Sequence, residues 1–160
     1  MRTDQNQRVE AALRWIADIL STRNVPFQIV GGLAARAYGA TRQIADIDLY
    51  APASELKSVL HELEPFVTRP LARHSDQHWD VIFMRLEYGG QTIEIAVGDG
   101  AKYRDSRGAW HDAAVDYAAS ELVDVLGVTV PVMPRHQLLS YKRRLDRTVD
   151  RADVHEITRG

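Results

Sequence analysis

The chain has 160 residues, of which 45% are hydrophobic and 26% are charged. This size and balance predict one globular domain over residues 1–160 and exclude a disordered, fibrous or repeat protein. The formal net charge of −2 means that any contact with nucleic acid needs a local basic patch. Without cysteine there is no disulfide framework and no Cys-ligated zinc site, and a cytoplasmic setting is expected. Neither a membrane span nor a secretion signal is expected, because long apolar runs are missing.

The first half of the chain alternates between helical and strand patterns. Apolar residues recur at helical spacing before residue 22, and later alternate with acidic residues. Gly31 and Gly32 end an apolar run and predict a tight turn, while Ser54 is a candidate helix cap. The predicted elements are a helix at 4–22, a strand at 27–30, a helix at 33–38, a strand at 45–50 and a helix at 54–63.

The second half of the chain is richer in strand patterns. The dipeptide Gly89-Gly90 separates two β-rich runs and predicts a tight antiparallel hairpin. Residues 65–78 show little periodicity and predict a loop with one short strand. The predicted elements are strands at 79–88 and 91–97, a helix near 110–117, a strand pair within 122–132, a helix from Pro134 and a helix at 151–157. The whole pattern predicts an α/β domain.

Two carboxylates on one strand face are the most informative feature of the sequence. Residues two apart on a strand point to the same side, so Asp46 and Asp48 share a face, while Ile47 and Leu49 enter the core. The paired carboxylates repel each other unless a cation lies between them. Hard oxygen ligands without cysteine favour Mg²⁺ or Mn²⁺ over zinc. The strand therefore predicts a divalent metal site.

A third carboxylate and a glycine turn complete this candidate site. Glu94 alternates with apolar neighbours, and it joins Asp46 and Asp48 if the two strands are adjacent. Three carboxylates can hold the two metal ions of a phosphoryl or nucleotidyl transfer. Gly31 and Gly32 allow the backbone to approach a phosphate closely. Taken alone, the acidic pair is also typical of a solvated or protected edge strand, and the glycines of an ordinary turn; their order and spacing favour the functional interpretation.

The stretch from Val30-Gly31-Gly32 to Asp46-Ile47-Asp48-Leu49 resembles the signature of the polymerase-beta-like nucleotidyltransferase superfamily. The likeness is to its small members, which include minimal and antibiotic nucleotidyltransferases and abortive-infection toxins. The resemblance implies a mixed, twisted sheet packed by helices and transfer of a nucleoside monophosphate from an NTP. It also implies that Asp46, Asp48 and Glu94 are catalytic and bind metal, and that Gly31 and Gly32 contact phosphate.

Two basic residues, Arg42 and Lys142, are further candidates for nucleotide binding. By the same resemblance, Arg42 and Lys142 match basic positions that bind the nucleotide, and an acidic helix follows Lys142 at 150–153. The basic excess over residues 135–151 can neutralise a triphosphate or receive an RNA backbone. Its alternative is a solvated helix face with internal ion pairs.

A second group of titratable residues lies at 74–80. His74, Asp76, His78 and Asp80 have the composition of a metal cluster. Their polar, loop-like surroundings favour a solvated segment over a zinc site.

The expected function is metal-dependent nucleotidyl transfer to a hydroxyl, with Mg²⁺ or Mn²⁺ as cofactor and ATP as the favoured NTP. The acceptor stays open between RNA, protein and a small molecule. An antibiotic nucleotidyltransferase and a catalytically silent toxin–antitoxin module are the alternatives. The small size of the chain favours a cognate partner, an RNA end or a homodimer that completes the site.

Overall fold

A computed structural model describes residues 2–159 of the chain. Within these residues, nine strands form one mixed sheet. They are β1 (Gln28–Val30), β2 (Asp46–Ala51), β3 (Val67–Ser75), β4 (Trp79–Tyr88), β5 (Gln91–Val97), β6 (Lys102–Arg104), β7 (Trp110–Asp112), β8 (Glu121–Val125) and β9 (Val128–Val132). Their order is β7-β6-β4-β5-β2-β1-β9-β8, and β3 pairs with the edge of β4 that faces away from β5.

The helices pack on this sheet. They are α1 (Arg2–Thr22), α2 (Gly31–Ala37), α3 (Ala53–Leu56), α4 (Leu60–Leu63), α5 (Arg135–Leu145) and α6 (Thr148–Arg159), with short 3₁₀ turns at 57–59, 64–66 and 117–119. Among the described residues, no helix is long and apolar enough to cross a membrane.

The core lies on the face of the sheet opposite to the acidic residues. Along β2, buried positions alternate with half-buried ones, so Ile47 and Leu49 enter the core. The apolar stripe of α1 packs into the same core, and four of its members are almost fully buried: Val9, Leu13, Ile16 and Leu20. Burial of this stripe is what stabilises α1, since an isolated helix of its length is marginal in water. The predicted mixed α/β architecture is confirmed.

The two glycine-centred hairpins form as predicted. β4 and β5 pair antiparallel around Gly89 and Gly90, both of which have positive φ, at 55° and 80°. β8 and β9 pair around Gly127. These turns place the strands in register without help from distant contacts.

Three local predictions are wrong. Residues 67–75 form one nine-residue edge strand, β3, rather than a loop with one short strand; most of them are exposed, so burial imposes no apolar period. Around residue 110 the chain forms β7, paired with β6, and not a helix. Ser54 does not cap its helix: Pro52 occupies the cap position, and the Ser54 hydroxyl bonds Glu55 instead.

Candidate active site

Three carboxylates meet on the polar face of the sheet. Asp46 and Asp48 lie on β2, which pairs in parallel with β5, and Glu94 is directly opposite Asp48. One oxygen from each of the three carboxylates lies within 4.8 Å of the other two. The adjacency of the two strands thus brings together the three acids that the sequence singles out.

Burial and the neighbouring charges both affect the pKa values of Asp46 and Asp48. Burial raises the pKa of Asp48 well above its usual value, and the charges of Glu94 and Asp46 raise it further. The pKa of Asp46 is also raised, by burial first and then by the charge of Glu94. Half-buried carboxylates at this spacing disfavour joint ionisation, and a divalent cation between them removes that penalty.

The glycine turn packs directly against this group. β1 pairs antiparallel with β2 so that Val30 lies opposite Asp48, and Gly31 follows with φ of +65°. A Cβ at Gly31 would come within 2.6 Å of Asp48 Oδ2, and one at Gly32 within 3.0 Å of Arg42 Nη2. At position 31 glycine is therefore required both for backbone conformation and for space, whereas a side chain at position 32 would have to displace only the flexible end of Arg42.

An arginine from the neighbouring strand reaches the acids. Arg85 on β4 is the cross-strand partner of Glu94, and its Nη2 and Nε lie 2.8 and 3.1 Å from Glu94 Oε2. The guanidinium supplies a positive charge next to the three carboxylates. Sequence analysis missed Arg85. The Gly89-Gly90 turn was a sufficient signal, since counting back from a two-residue hairpin places residue 85 opposite residue 94.

A chain of ion pairs lies behind the glycine turn. Arg42 forms a two-pronged pair with Asp153, with Nε–Oδ1 and Nη2–Oδ2 distances of 2.9 and 3.0 Å. Lys142 Nζ lies 2.9 Å from Asp153 Oδ2 and 3.5 Å from Asp150 Oδ1, and all three side chains are buried. Arg147 Nε lies 2.7 Å from Asp150 Oδ2. These three cations and two anions leave an excess of one positive charge.

The two basic candidates therefore have different settings. The side chain of Arg42 is 34% exposed next to the glycine turn, so it can reach a ligand. The side chain of Lys142 is only 1% exposed, and its ammonium is held by two carboxylates. The ammonium of Lys142 is thus paired within the chain.

The acids line one cleft of about 550 Å³, together with the glycine turn, Arg42 and Lys142. Its far wall is formed by β3 and β4 and includes Trp79 and Phe83. Trp79 donates a hydrogen bond from Nε1 to the Tyr141 hydroxyl at 3.0 Å, and the Arg147 guanidinium lies 4.9 Å from its ring centre. The Trp79 ring thus contacts Arg147, which belongs to the ion-pair network through Asp150.

The titratable residues at 74–80 pair with one another and with Arg73. Asp76 accepts hydrogen bonds from the backbone N–H groups of His78 and Trp79 and from His74 Nε2. Asp80 pairs with Arg73. Within residues 2–159, Asp46, Asp48 and Glu94 form the one group of three or more potential ligands close enough to share a metal ion.

Several solved structures share this fold. A candidate nucleotidyltransferase from Thermotoga maritima superposes with a TM-score of 0.71 and 23% identity, over 91% of this chain and 88% of that chain. The lincosamide antibiotic adenylyltransferase LnuA, with lincomycin bound, gives 0.64 and 17%, over 93% and 96%. ANT(2″)-Ia, in complex with adenylyl-2″-tobramycin, gives 0.61 and 18%, over 93% and 87%.

The likeness is one of structure. No protein-family model matches the chain, and no curated protein matches it in sequence. The fold is nevertheless shared with solved structures that are named nucleotidyltransferases and adenylyltransferases. The chain has the nucleotidyltransferase fold that the polymerase-beta-like resemblance of its sequence predicts.

Proposed function

We propose that this protein is a metal-dependent nucleotidyltransferase that moves a nucleoside monophosphate from an NTP to a hydroxyl. The observation that carries the proposal is the group formed by Asp46, Asp48 and Glu94, set against the glycine turn at Gly31. A carboxylate group of this kind and a close backbone approach for phosphate are the two requirements of the reaction.

The three carboxylates fit a divalent cation. They offer only hard oxygen ligands, which Mg²⁺ and Mn²⁺ prefer. Burial first, and then the charges of neighbouring acids, raises the pKa of Asp46 and of Asp48, so a cation at this place would favour their ionised forms. Bound there, such ions supply charge stabilisation for the entering and leaving oxygens. Asp46, Asp48 and Glu94 are the residues that would hold such ions.

The chain's own groups define the two sides of the reaction. The backbone at Gly31 and Gly32 and the guanidinium of Arg42 hold the phosphates, and the ion-pair network containing Lys142 adds its excess positive charge. The acceptor oxygen bonds to the α-phosphorus while the bond from that phosphorus to the bridging oxygen breaks, and pyrophosphate leaves with the electron pair. Glu94 receives the acceptor proton and passes it to solvent.

The acceptor is an RNA, a protein or a small molecule, and ATP is the favoured NTP. Two neighbours of the same fold are adenylyltransferases by name, and their structures contain lincomycin and adenylyl-2″-tobramycin. This observation favours an antibiotic acceptor as the second candidate. A toxin that modifies a cellular partner, or a silent binding module, are further alternatives.

The test uses each α-³²P-labelled NTP with Mg²⁺ or Mn²⁺. Total RNA, cell lysate and a panel of aminoglycosides and lincosamides are supplied in separate reactions. Label is expected on one acceptor class with the native protein and on none with Asp46→Asn/Asp48→Asn. Circular dichroism checks that the variant is folded. If the native protein labels nothing and calorimetry detects no NTP binding, the enzymatic proposal is wrong.

A further inference from the structure

A row of side chains crosses four strands of the sheet at the candidate site. The cross-strand partners are Asp48 with Glu94, Glu94 with Arg85, and Arg85 with Arg69. Directly paired residues on neighbouring strands point to the same face. The row therefore runs acid, acid, arginine, arginine, from the glycine turn towards the edge strand β3.

The last member of this row is fixed in place by its surroundings. The guanidinium carbon of Arg69 lies 3.9 Å from the centre of the Phe83 ring, and Nη1 donates hydrogen bonds to the carbonyls of Phe83 at 2.6 Å and Ala72 at 3.4 Å. Stacking and these bonds hold the planar group in one orientation.

The charge of Arg69 is not used within the chain. Arg85 pairs with Glu94, and Arg73 pairs with Asp80, but across residues 2–159 no carboxylate lies within ion-pair distance of Arg69. Its side chain is half-buried and lines the cleft. A guanidinium that is oriented but unpaired, with donors still free, is suited to an anionic ligand.

Other charges on this wall do not cancel that of Arg69. His74 and Asp76 also line the cleft on the β3 side. The Asp76 carboxylate is engaged by two backbone N–H groups and by His74, which hold its pKa at about 2, although burial alone would raise it. Asp76 thus stabilises the turn before β4.

In-line transfer places the acceptor on this wall. The leaving pyrophosphate and the attacking oxygen lie on opposite sides of the α-phosphorus. If the glycine turn holds the phosphates, the acceptor approaches from the side of Glu94, β4 and β3. Arg69 stands two strands beyond Glu94, a backbone separation of about 10 Å. A phosphate that is separated from the reacting hydroxyl by one sugar unit can span this distance.

We propose that Arg69, stacked on Phe83, binds a phosphate group of the acceptor, so that the substrate is a phosphate-bearing hydroxyl compound. The inference rests on the proposed function and limits the class of acceptor to compounds that carry a phosphate. A polycationic acceptor such as tobramycin would meet the unpaired like charge of Arg69. Arginine favours phosphate because its fork matches two phosphate oxygens at once.

Phosphate binding is tested on the protein saturated with Mg²⁺ and a non-hydrolysable NTP analogue. Inorganic phosphate is titrated by calorimetry into the native protein, Arg69→Gln, Arg69→Lys and the exposed control Arg8→Gln on α1. We expect saturable phosphate binding that Arg69→Gln weakens at least about tenfold and Arg69→Lys partly restores, with Arg8→Gln unchanged. Analogue affinity is expected to be equal in all four proteins, and circular dichroism is expected to show that all four are folded, which excludes a purely structural effect.

The outcomes separate this inference from the proposed function. Normal analogue binding with no phosphate binding, or with equal phosphate affinity in Arg69→Gln, overturns the role of Arg69 and leaves the transferase proposal intact. Failure of the native protein to bind the analogue removes both.

The source of the phosphate is distinguished by transfer assays with labelled NTP. A short single-stranded oligoribonucleotide and ribose 5-phosphate are compared with uncharged ribose and with tobramycin. Label on the oligonucleotide indicates a nucleic-acid phosphate, and label on ribose 5-phosphate indicates a free sugar phosphate. In either case Arg69→Gln is expected to raise the acceptor KM while kcat changes little. Preferential labelling of ribose or tobramycin contradicts the inference.

Discussion

Asp48 lies directly between Val30 and Glu94 in the sheet, paired antiparallel with the first and parallel with the second. The residue before the glycine turn, the central acid and the third acid are thus held by strand register and not by flexible loops. Sites built on paired strands keep their geometry without help from a ligand. The three carboxylates are accordingly close together before any cation binds, and their repulsion is a property of the folded chain.

Relief of this repulsion gives the first prediction. Asp48→Asn removes one of three crowded charges, so the melting temperature in EDTA is expected to equal or exceed that of the native protein. Addition of Mg²⁺ or Mn²⁺ is expected to raise the melting temperature of the native protein but not of the variant. Differential scanning calorimetry with and without metal measures both effects.

The control for this experiment is Asp18→Asn, which changes an exposed acid on α1. It should respond to metal as the native protein does. Equal metal stabilisation of Asp48→Asn and the native protein would contradict the assignment of Asp48 as a ligand.

The second prediction concerns the contact between Gly31 and Asp48. In Gly31→Ala the new methyl group would meet Asp48 Oδ2 at 2.6 Å, so the carboxylate must move. Gly100 also has a positive φ, +73°, but has open space around it, so Gly100→Ala is a matched control for backbone strain alone. Both variants are expected to lose about 1–2 kcal/mol of unfolding free energy. Only Gly31→Ala is expected to lose affinity for Mn²⁺ as measured by calorimetry; equal Mn²⁺ affinity in the two variants would show that the contact is unimportant.

Much of the site follows from local sequence patterns. The alternation around Asp46 and Asp48 fixes which face they share, and a two-residue turn fixes the register of β4 and β5. The same register places Arg85 opposite Glu94. These elements are predictable because a short-range rule determines each of them.

The remainder depends on contacts that no local pattern records. β3 lies at an edge and buries few side chains, so its sequence has no apolar alternation. The position of Arg69 opposite Arg85 could not be inferred without the pairing of β3 with β4. Likewise β7 has only three residues and forms because β6 offers it a partner. The burial of Lys142 arises where α5 and α6 pack together, after Asp146 in a left-handed conformation reverses the chain.

Burial of Lys142 gives the third prediction. Lys142→Met leaves Asp150 and Asp153 buried with one cation fewer, and loss of one partner from such a network typically destabilises a protein by about 3–5 kcal/mol. We expect a loss of about 3 kcal/mol in urea denaturation, since Arg42 and Arg147 still pair with the two acids.

The neighbouring residue provides the comparison for this change. Arg143 follows Lys142 on α5 but is exposed. Arg143→Met is therefore expected to alter the unfolding free energy by less than about 0.5 kcal/mol. Similar losses in the two variants would argue that helix propensity, and not the buried ion pairs, accounts for the effect.

The acid dependence of stability gives the last prediction. Burial alone would raise the pKa of Asp153, but hydrogen bonds and charge from Arg42 and Lys142 outweigh it and leave the pKa below its usual value. A carboxyl whose pKa is lower in the folded state stabilises the protein above its unfolded pKa of about 4, and this contribution is lost as the pH falls through the folded value. The native protein is therefore expected to lose unfolding free energy more steeply below pH 4 than Asp153→Asn, which has no proton to bind at this position.

Urea denaturation at intervals from pH 6 to pH 3 measures the difference between the two proteins. Contributions from the acids that both proteins share cancel in this difference. Parallel curves for the two proteins would mean that the ion pairs of Asp153 contribute nothing to the pH dependence of folding.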